Sequence, residues 1–248
     1  MAEKAIRYKT LSIRRTADGF CFMSHSKSDR PDIRFIKKEG NSVSEAEFAG
    51  ILKESGFIPA DFARVLFIPS EKNYTLVPSS LFIESEATSL LKFAQPKTPT
   101  GASVMHYPAP QMGAEIIYSL DGRTKDAVSA VIPDVRFIPH ISPMLQYLMT
   151  IAKGGTVVWI NIEEGVADIM VADDGKLLLA DSRKHISSYD TLYAVMGAIK
   201  SFQLQKSEIL LSGDTEDISQ NLTRMAGRVT SIQKTPTELP VDLRIILQ

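Results

Sequence analysis

The chain has 248 residues, 44% hydrophobic and 23% charged, with a formal net charge of -1 and one cysteine, Cys21. That balance excludes recruitment of nucleic acid or anionic lipid by a bulk field, and a single cysteine excludes an intrachain disulfide. No apolar run approaches the roughly 18 residues of a membrane helix, and the N-terminus lacks the apolar region of a secretory signal. The expectation is a cytoplasmic protein with no nucleic-acid partner and no direct membrane insertion.

In chain order, "AIRYKTLSIRR", "TADGFCFMSHS" and "PDIRFIKKEGN" predict three strands, the first two joined by a hairpin at Asp18-Gly19. "SVSEAEFAGILKESGF" predicts a helix: Phe48, Ile51 and Leu52 recur at helical spacing, Ser44 can cap it, and Gly56 stands where it should stop. A strand "ARVLFIPS", an extended "NYTLVPSSLF", a helix through "EATSLLKFA" and a loop "QPKTPTGAS" follow. Strand "AEIIYSL", a helix from about Arg123, strand "DVRFIPHI" and helix "SPMLQYLMTIAKGG" complete a first lobe, residues 1–152.

The second lobe, 153–248, opens with three strands, "TVVWINI", "VADIMVA" and "KLLLADS", the last two linked by Asp173-Asp174-Gly175, a hairpin turn. The helix that follows places Tyr189, Leu192, Tyr193, Met196 and Ile199 on one face, read as core, with Ser187 or Ser188 as its cap. Strand "EILLSG", helix "DISQNLTRMAG", strand "RVTSIQ" and a last apolar run "LRIIL" end the chain. Each half therefore gives three strands, a helix, then alternating strand and helix. That order implies an α/β fold with a mixed sheet in each lobe and helices on its faces.

This duplicated order resembles the superfamily of actin, sugar kinases and chaperone ATPases. The stretch "GGTVVWINIEEGVADIMVADDGKLLLADSRKH" is similar to the hairpin with which such proteins hold a phosphate. Together with "LSIRRTADGFCF", "LVPSSLF", "IIYSL" and "ILLSGD", it resembles more closely an uncharacterised bacterial family, domain-of-unknown-function family 3822. The resemblance implies an actin-like ATPase fold, two ribonuclease H-like lobes each with a mixed five-stranded sheet flanked by helices. It also implies some likeness to actin-like proteins of pilus and secretion-system assembly, which act largely by binding partners.

In that superfamily a nucleotide lies between the lobes, held by backbone amides of two hairpins and by an acid that handles Mg²⁺ or water. Here Arg14 and Arg15 stand where the first strand would end in an acid, and an arginine can bind phosphate but repels Mg²⁺. Asp18 and Gly19 read as turn chemistry. In the second hairpin the pattern Asp, any residue, Gly falls on Asn161, Ile162 and Glu163. Asn161 carries no charge, and Glu163 puts a carboxylate where a phosphate would arrive. Gly165 and Asp168 follow the superfamily pattern. Of the adenosine-side glycine pair, Gly213 is kept and Asp214 replaces the second. All three motifs keep their turns and lose their chemistry.

Other chemistries fare worse. His25, His106, His140 and His185 have no metal-ligand spacing, so no metal is expected, and no nucleophile or phosphate-loop signature occurs. Glu163, Glu164 and Asp168 pose as a carboxylate cluster but read first as a solvated hairpin tip. Arg183, Lys184 and His185 precede a helix start, where a phosphate can sit, though charged loops are common. The sequence supports, first, a non-catalytic actin-like module that binds a protein partner or itself, with an exposed apolar patch on one lobe and no cofactor. A second reading is a nucleotide or anion sensor using Arg14, Arg15, Arg183 and Gly213. An active Mg²⁺-dependent ATPase, with ATP bound by rearranged acids, is least favoured.

Overall fold

In a computed structural model the described residues are 9–26, 29–40, 42–69, 71–163, 165–204, 207–215, 218–219, 221–222, 229–231 and 239–247. The chain divides into two compact units, Met1–Ser142 with Ile246–Gln248, and Pro143–Ile245.

In the first unit, β1 (Thr10–Thr16), β2 (Gly19–His25) and β3 (Asp32–Lys37) form an antiparallel meander. The first turn closes on Thr16 and Gly19, so Ala17 and Asp18 are its central residues rather than Asp18 and Gly19. Gly19 is already in β2, where an added Cβ would lie 2.1 Å from the Ile36 carbonyl oxygen of β3. Its side chain is absent because the neighbouring main chain passes there.

Helix α1 (Glu45–Ser55) begins and ends on the expected residues. Ser44 and Glu47 form a reciprocal capping box, and Gly56 closes the helix in the left-handed region at φ 71°. Phe48, Ile51 and Leu52 are its buried face. Strand β4 (Arg64–Ile68) pairs parallel with β1, and β8 (Arg136–Phe137) pairs parallel with β4, giving the order β3-β2-β1-β4-β8. The core on one face of this sheet is aromatic. Phe20 and Phe48 lie 5.8 Å apart between ring centroids, and Phe67 and Phe137 lie 5.6 Å apart.

Between β4 and β8 lies an insert that the sequence pattern did not disclose. Strands β5 (Tyr74–Pro78), β6 (Ala102–Ala109) and β7 (Ala114–Asp121) form a separate antiparallel sheet, order β5-β7-β6. Helix α2 (Ala87–Ala94) packs Ala87 and Leu91 against Ile117. Strand β6 has no clean strand signature in the sequence, because it carries Pro108 and does not alternate; proline is tolerated there because β6 is an edge strand. Helix α3 (Gly122–Val131), capped by Asp121, returns the chain to the first sheet. Of "DVRFIPHI", only Arg136 and Phe137 are strand; Pro139 cannot extend the ladder.

The second unit repeats the first sheet. After α4 (Ile141–Ile151) come β9 (Thr156–Glu163), β10 (Val166–Asp173) and β11 (Lys176–Lys184), then β12 (Ser207–Gly213) and β13 (Val229–Ser231), in the order β11-β10-β9-β12-β13. The Asp174-Gly175 turn has φ of 45° and 72°, the positive pair that a two-residue hairpin turn requires. Helix α5 (Ser188–Ser201) is capped by Ser187. Its buried residues are Thr191, Leu192, Val195 and Ala198. Tyr189 and Tyr193 are 76% and 84% exposed, which corrects the expected core face.

Of "DISQNLTRMAG", residues 218–219 and 221–222 are helical and the rest lie outside the described residues. "LRIIL" falls in a helix, α6 (Val241–Ile246). Among the described residues no helix is long and apolar enough to cross a membrane.

Candidate functional site

Side chains alternate across a sheet, so each strand of the second unit sends one set to each face. Val158, Ile160, Ile162, Ala167, Ile169, Val171, Ile209 and Leu211 meet α5 in one core. Trp159 and Asn161 leave β9 on the other face, where Tyr147 of α4 meets the Trp159 ring edge-on at 5.8 Å.

On that face a polar row crosses four strands. Ser182 of β11 is in register with Asp168 of β10, Asp168 with Asn161 of β9, and Asn161 with Ser212 of β12. Their side-chain hydrogen bonds converge on Asp168 from both sides. Trp159 Nε1–H donates to Ser212 Oγ at 2.9 Å, and Ser212 Oγ–H donates to Asn161 Oδ1 at 2.8 Å. Asn161 Nδ2–H donates to Asp168 Oδ2 at 3.1 Å, and Ser182 Oγ–H donates to Asp168 Oδ1. Asn161 and Asp168 are 2% and 3% exposed.

An amide suits the middle of this row because it accepts on one side and donates on the other. An aspartate in its place would be acceptor-only against the acceptor Asp168. A β-bulge between Val171 and Ala172 shifts the β10–β11 register by one, which sets the donor Ser182, and not the acid Asp181, beside Asp168. Ser182, Ser212 and Trp159 were not among the residues that motif reading nominated. The pairing of Glu163 with Val166 does fix Asn161 opposite Asp168, since each lies two residues further along its strand.

Glu163, half-buried at the end of β9, faces Arg244 of α6. Burial lowers the Arg244 pKa and the Glu163 carboxylate opposes that shift. Gly165 is an exposed turn residue at φ 73° with no atom near an added Cβ, and its carbonyl accepts from the His185 amide at 2.8 Å. Glu164 lies outside the described residues.

At Gly213, φ is 77° and an added Cβ would stand 1.9 Å from the Ile162 carbonyl oxygen, which also accepts from the Asp214 amide at 2.7 Å. The close approach of β12 to β9 at the end of their parallel pairing accounts for this glycine without a ligand. The side chain of Asp214 is exposed, and the Thr215 carbonyl accepts from Ile218 and Ser219 as the next helical turn begins.

The arginines are engaged. Arg14 is buried on the first sheet and donates to the Arg15 carbonyl. Arg15 donates to the carbonyls of Gly19, at 2.5 Å, and Gly40, with its guanidinium 4.7 Å from the centre of the Phe20 ring. It pins the first hairpin to the loop after β3. Asp18 accepts from Thr16 Oγ1 at 3.1 Å. Arg183 reaches Asp181 with Nε and Nη2 along the same strand. His185 Nδ1 shares a hydrogen bond with Thr191 Oγ1 of α5 at 2.8 Å.

The structure thus brings Asn161 and Asp168 together, and leaves Arg14, Arg15, Asp18 and Gly19 in the first unit. Among the described residues no group of three or more His, Cys, Asp or Glu is placed to hold a metal ion.

Comparison with known proteins bears on the fold. A Bacteroides thetaiotaomicron VPI-5482 protein, described as having an actin-like ATPase fold and unknown function, is 24% identical with a TM-score of 0.85; the match covers 100% of this chain and 98% of that one. A chain of a PilM-PilN type IV pilus biogenesis complex is 12% identical with a TM-score of 0.52, over 92% and 89%. The ethanolamine utilization protein EutJ of Carboxydothermus hydrogenoformans is 10% identical with a TM-score of 0.47, over 90% and 84%. No curated protein sequence matches. The model of the family "Protein of unknown function (DUF3822)" matches residues 2–226, and the chain belongs to that family and has the actin-like ATPase fold.

Proposed function

We propose that this chain is a non-hydrolysing actin-like module that works by binding a protein partner or a second copy of itself. The observation that carries the reading is the donor–acceptor order of the buried row. At the position where the superfamily resemblance implies a metal- or water-handling acid, Asn161 is uncharged and committed on both sides, to Ser212 and to Asp168. An amide there cannot hold Mg²⁺ through water as a carboxylate does.

The anion-sensor reading loses support from the same structure, because Arg14, Arg15 and Arg183 already serve carbonyls or a carboxylate. Surface chemistry favours association. Ile186, Tyr189 and Tyr193, at one-turn spacing around the start of α5, are all exposed. Tyrosine supplies apolar area with a polar tip, which suits protein interfaces.

Two measurements test this. Calorimetry with ATP and ADP, with and without Mg²⁺ and at two temperatures, should give no heat at millimolar ligand, the range of about -4 kcal/mol. Binding strengthened by Mg²⁺ would overturn the reading. A photo-crosslinker at Tyr193 should trap one discrete protein in cells of the source organism. Failure to trap any protein, this chain included, would remove the interaction half.

A further inference from the structure

Six residues of α5 are exposed: Tyr189, Asp190, Tyr193, Gly197, Lys200 and Ser201. Along the helix they are placed symmetrically about the level of Val195, in the pairs 189 and 201, 190 and 200, and 193 and 197. The inner four follow a 3-4-3 spacing, the seam spacing of paired helices, and that spacing reads the same in either chain direction. A face of this kind can meet a copy of itself running antiparallel about a two-fold axis.

The residue types match that operation. In an antiparallel seam each layer sets one position against its opposite number, so Tyr193 meets Gly197 of the second copy and Asp190 meets Lys200 of the second copy. One layer puts a large ring over a missing side chain, and the other puts acid against base. Among the described residues Asp190 and Lys200 have no ion pair within the chain, although Asp190 also accepts from Ser187 Oγ at 2.8 Å at the helix cap.

Gly197 supplies an independent observation. Its φ is not positive, and an added Cβ would meet no atom within 4 Å, so neither backbone conformation nor crowding in its own chain calls for glycine. A glycine inside a helix weakens it relative to almost any other residue. What the glycine does provide is a shallow hole on the exposed face, into which a knob from a facing helix fits.

We propose that the chain forms a two-fold homodimer through α5, the helices antiparallel, with Tyr193 of each copy seated over Gly197 of the other and Asp190 of each paired with Lys200 of the other. The inference rests on the interaction reading above and names the partner as a second copy. A seam of one fourteen-residue helix per copy is small, so the association is reversible.

Sedimentation equilibrium of the full chain from about 1 to 500 μM spans such a weak interface, and the mass should rise toward twice the monomer's. Asp190→Lys alone and Lys200→Asp alone should each stay monomeric, because each sets like charges together in both outer layers. An equimolar mixture of these two variants should form a heterodimer, since acid again meets base on both sides. Gly197→Gln should be monomeric throughout, yet in dilute solution it should melt about 2–3 °C higher than the parent, as a helix former on an open face. A parent chain that stays monomeric, a Gly197→Gln chain that still dimerises or melts lower, or a mixture that fails to associate would overturn the dimer. The crosslinker at Tyr193 separates this from the wider reading. A monomeric chain crosslinked to a different protein overturns the dimer alone, whereas a monomeric chain that traps nothing removes both.

Discussion

Asn161→Asp restores the charge that an actin-like ATPase would carry, and it should damage the protein. The substituted carboxylate would stand against Asp168 where a hydrogen bond of 3.1 Å now runs. Two unit charges at that distance repel by about 5 kcal/mol at an effective dielectric near 20. The charge-assisted bond that is lost contributes about 1.5–3 kcal/mol more. A proton offers relief, and it limits the charge penalty to the free energy of protonating an ordinary aspartate, pKa about 3.9, which is about 4 kcal/mol at pH 7 and about 1.5 kcal/mol at pH 5. The folded variant binds that proton more tightly than the unfolded chain does. Its deficit therefore grows as pH rises above about 3.9, until the shared proton is lost.

Urea denaturation of both proteins at pH 5, 6, 7 and 8 measures the deficit. Trp159 is the single tryptophan and belongs to the row, so its fluorescence reports the relevant unit. A deficit below about 1 kcal/mol at pH 7, or one flat with pH, would refute the electrostatic account of the row. Rescue of the variant by millimolar Mg²⁺ would go further and mark the pair as a latent metal site.

Two other contrasts check the assignment of roles. Gly213→Ala meets both a left-handed backbone and the Ile162 carbonyl, whereas Gly165→Ala meets only the backbone strain. Denaturant midpoints should place the first at about 2–4 kcal/mol of lost stability and the second at about 1–2 kcal/mol; equal losses would refute the crowding. On α5, Tyr193→Ser should change stability by less than about 0.5 kcal/mol, whereas Leu192→Ala should lose about 2–5 kcal/mol. Thermal unfolding decides it, and the reverse order would restore the tyrosine face to the core.

The paired hairpins and the capped first helix were legible because local chemistry determines them. Ser44, Glu47 and Gly56 carry their positions in their own residue types, and Asp174-Gly175 carries the turn. The centre of the polar row was half legible. Asn161 and Asp168 face each other by counting back from one turn, but counting from the next turn puts Asp181 opposite Asp168, and only the bulge corrects that to Ser182. Ser212 comes from a parallel crossover, whose register depends on packing rather than on any turn. The tyrosines of α5 misled because apolar residues occur on both sides of that helix, so periodicity selected a face that burial did not. Gly213 was visible as a motif glycine, yet its reason, the Ile162 carbonyl, belongs to the tertiary structure.

The insert also sets an order of assembly. Strands β4 and β8 are separated by residues 69–135, 67 positions, whereas their counterparts β12 and β13 are separated by residues 214–228, 15 positions. For flexible chains the longer closure costs about 1.3 kcal/mol more, roughly a tenfold smaller chance of encounter. Folding the insert first shortens that path, because the Ser119 amide donates to the Asn73 carbonyl, which brings its ends together and leaves a short connection plus α3 to span. With only two residues of its own to pair, β8 gains little until then. The edge of the first sheet is thus completed late, after a neighbouring sheet has drawn its strands within reach, while the second sheet closes from nearer contacts.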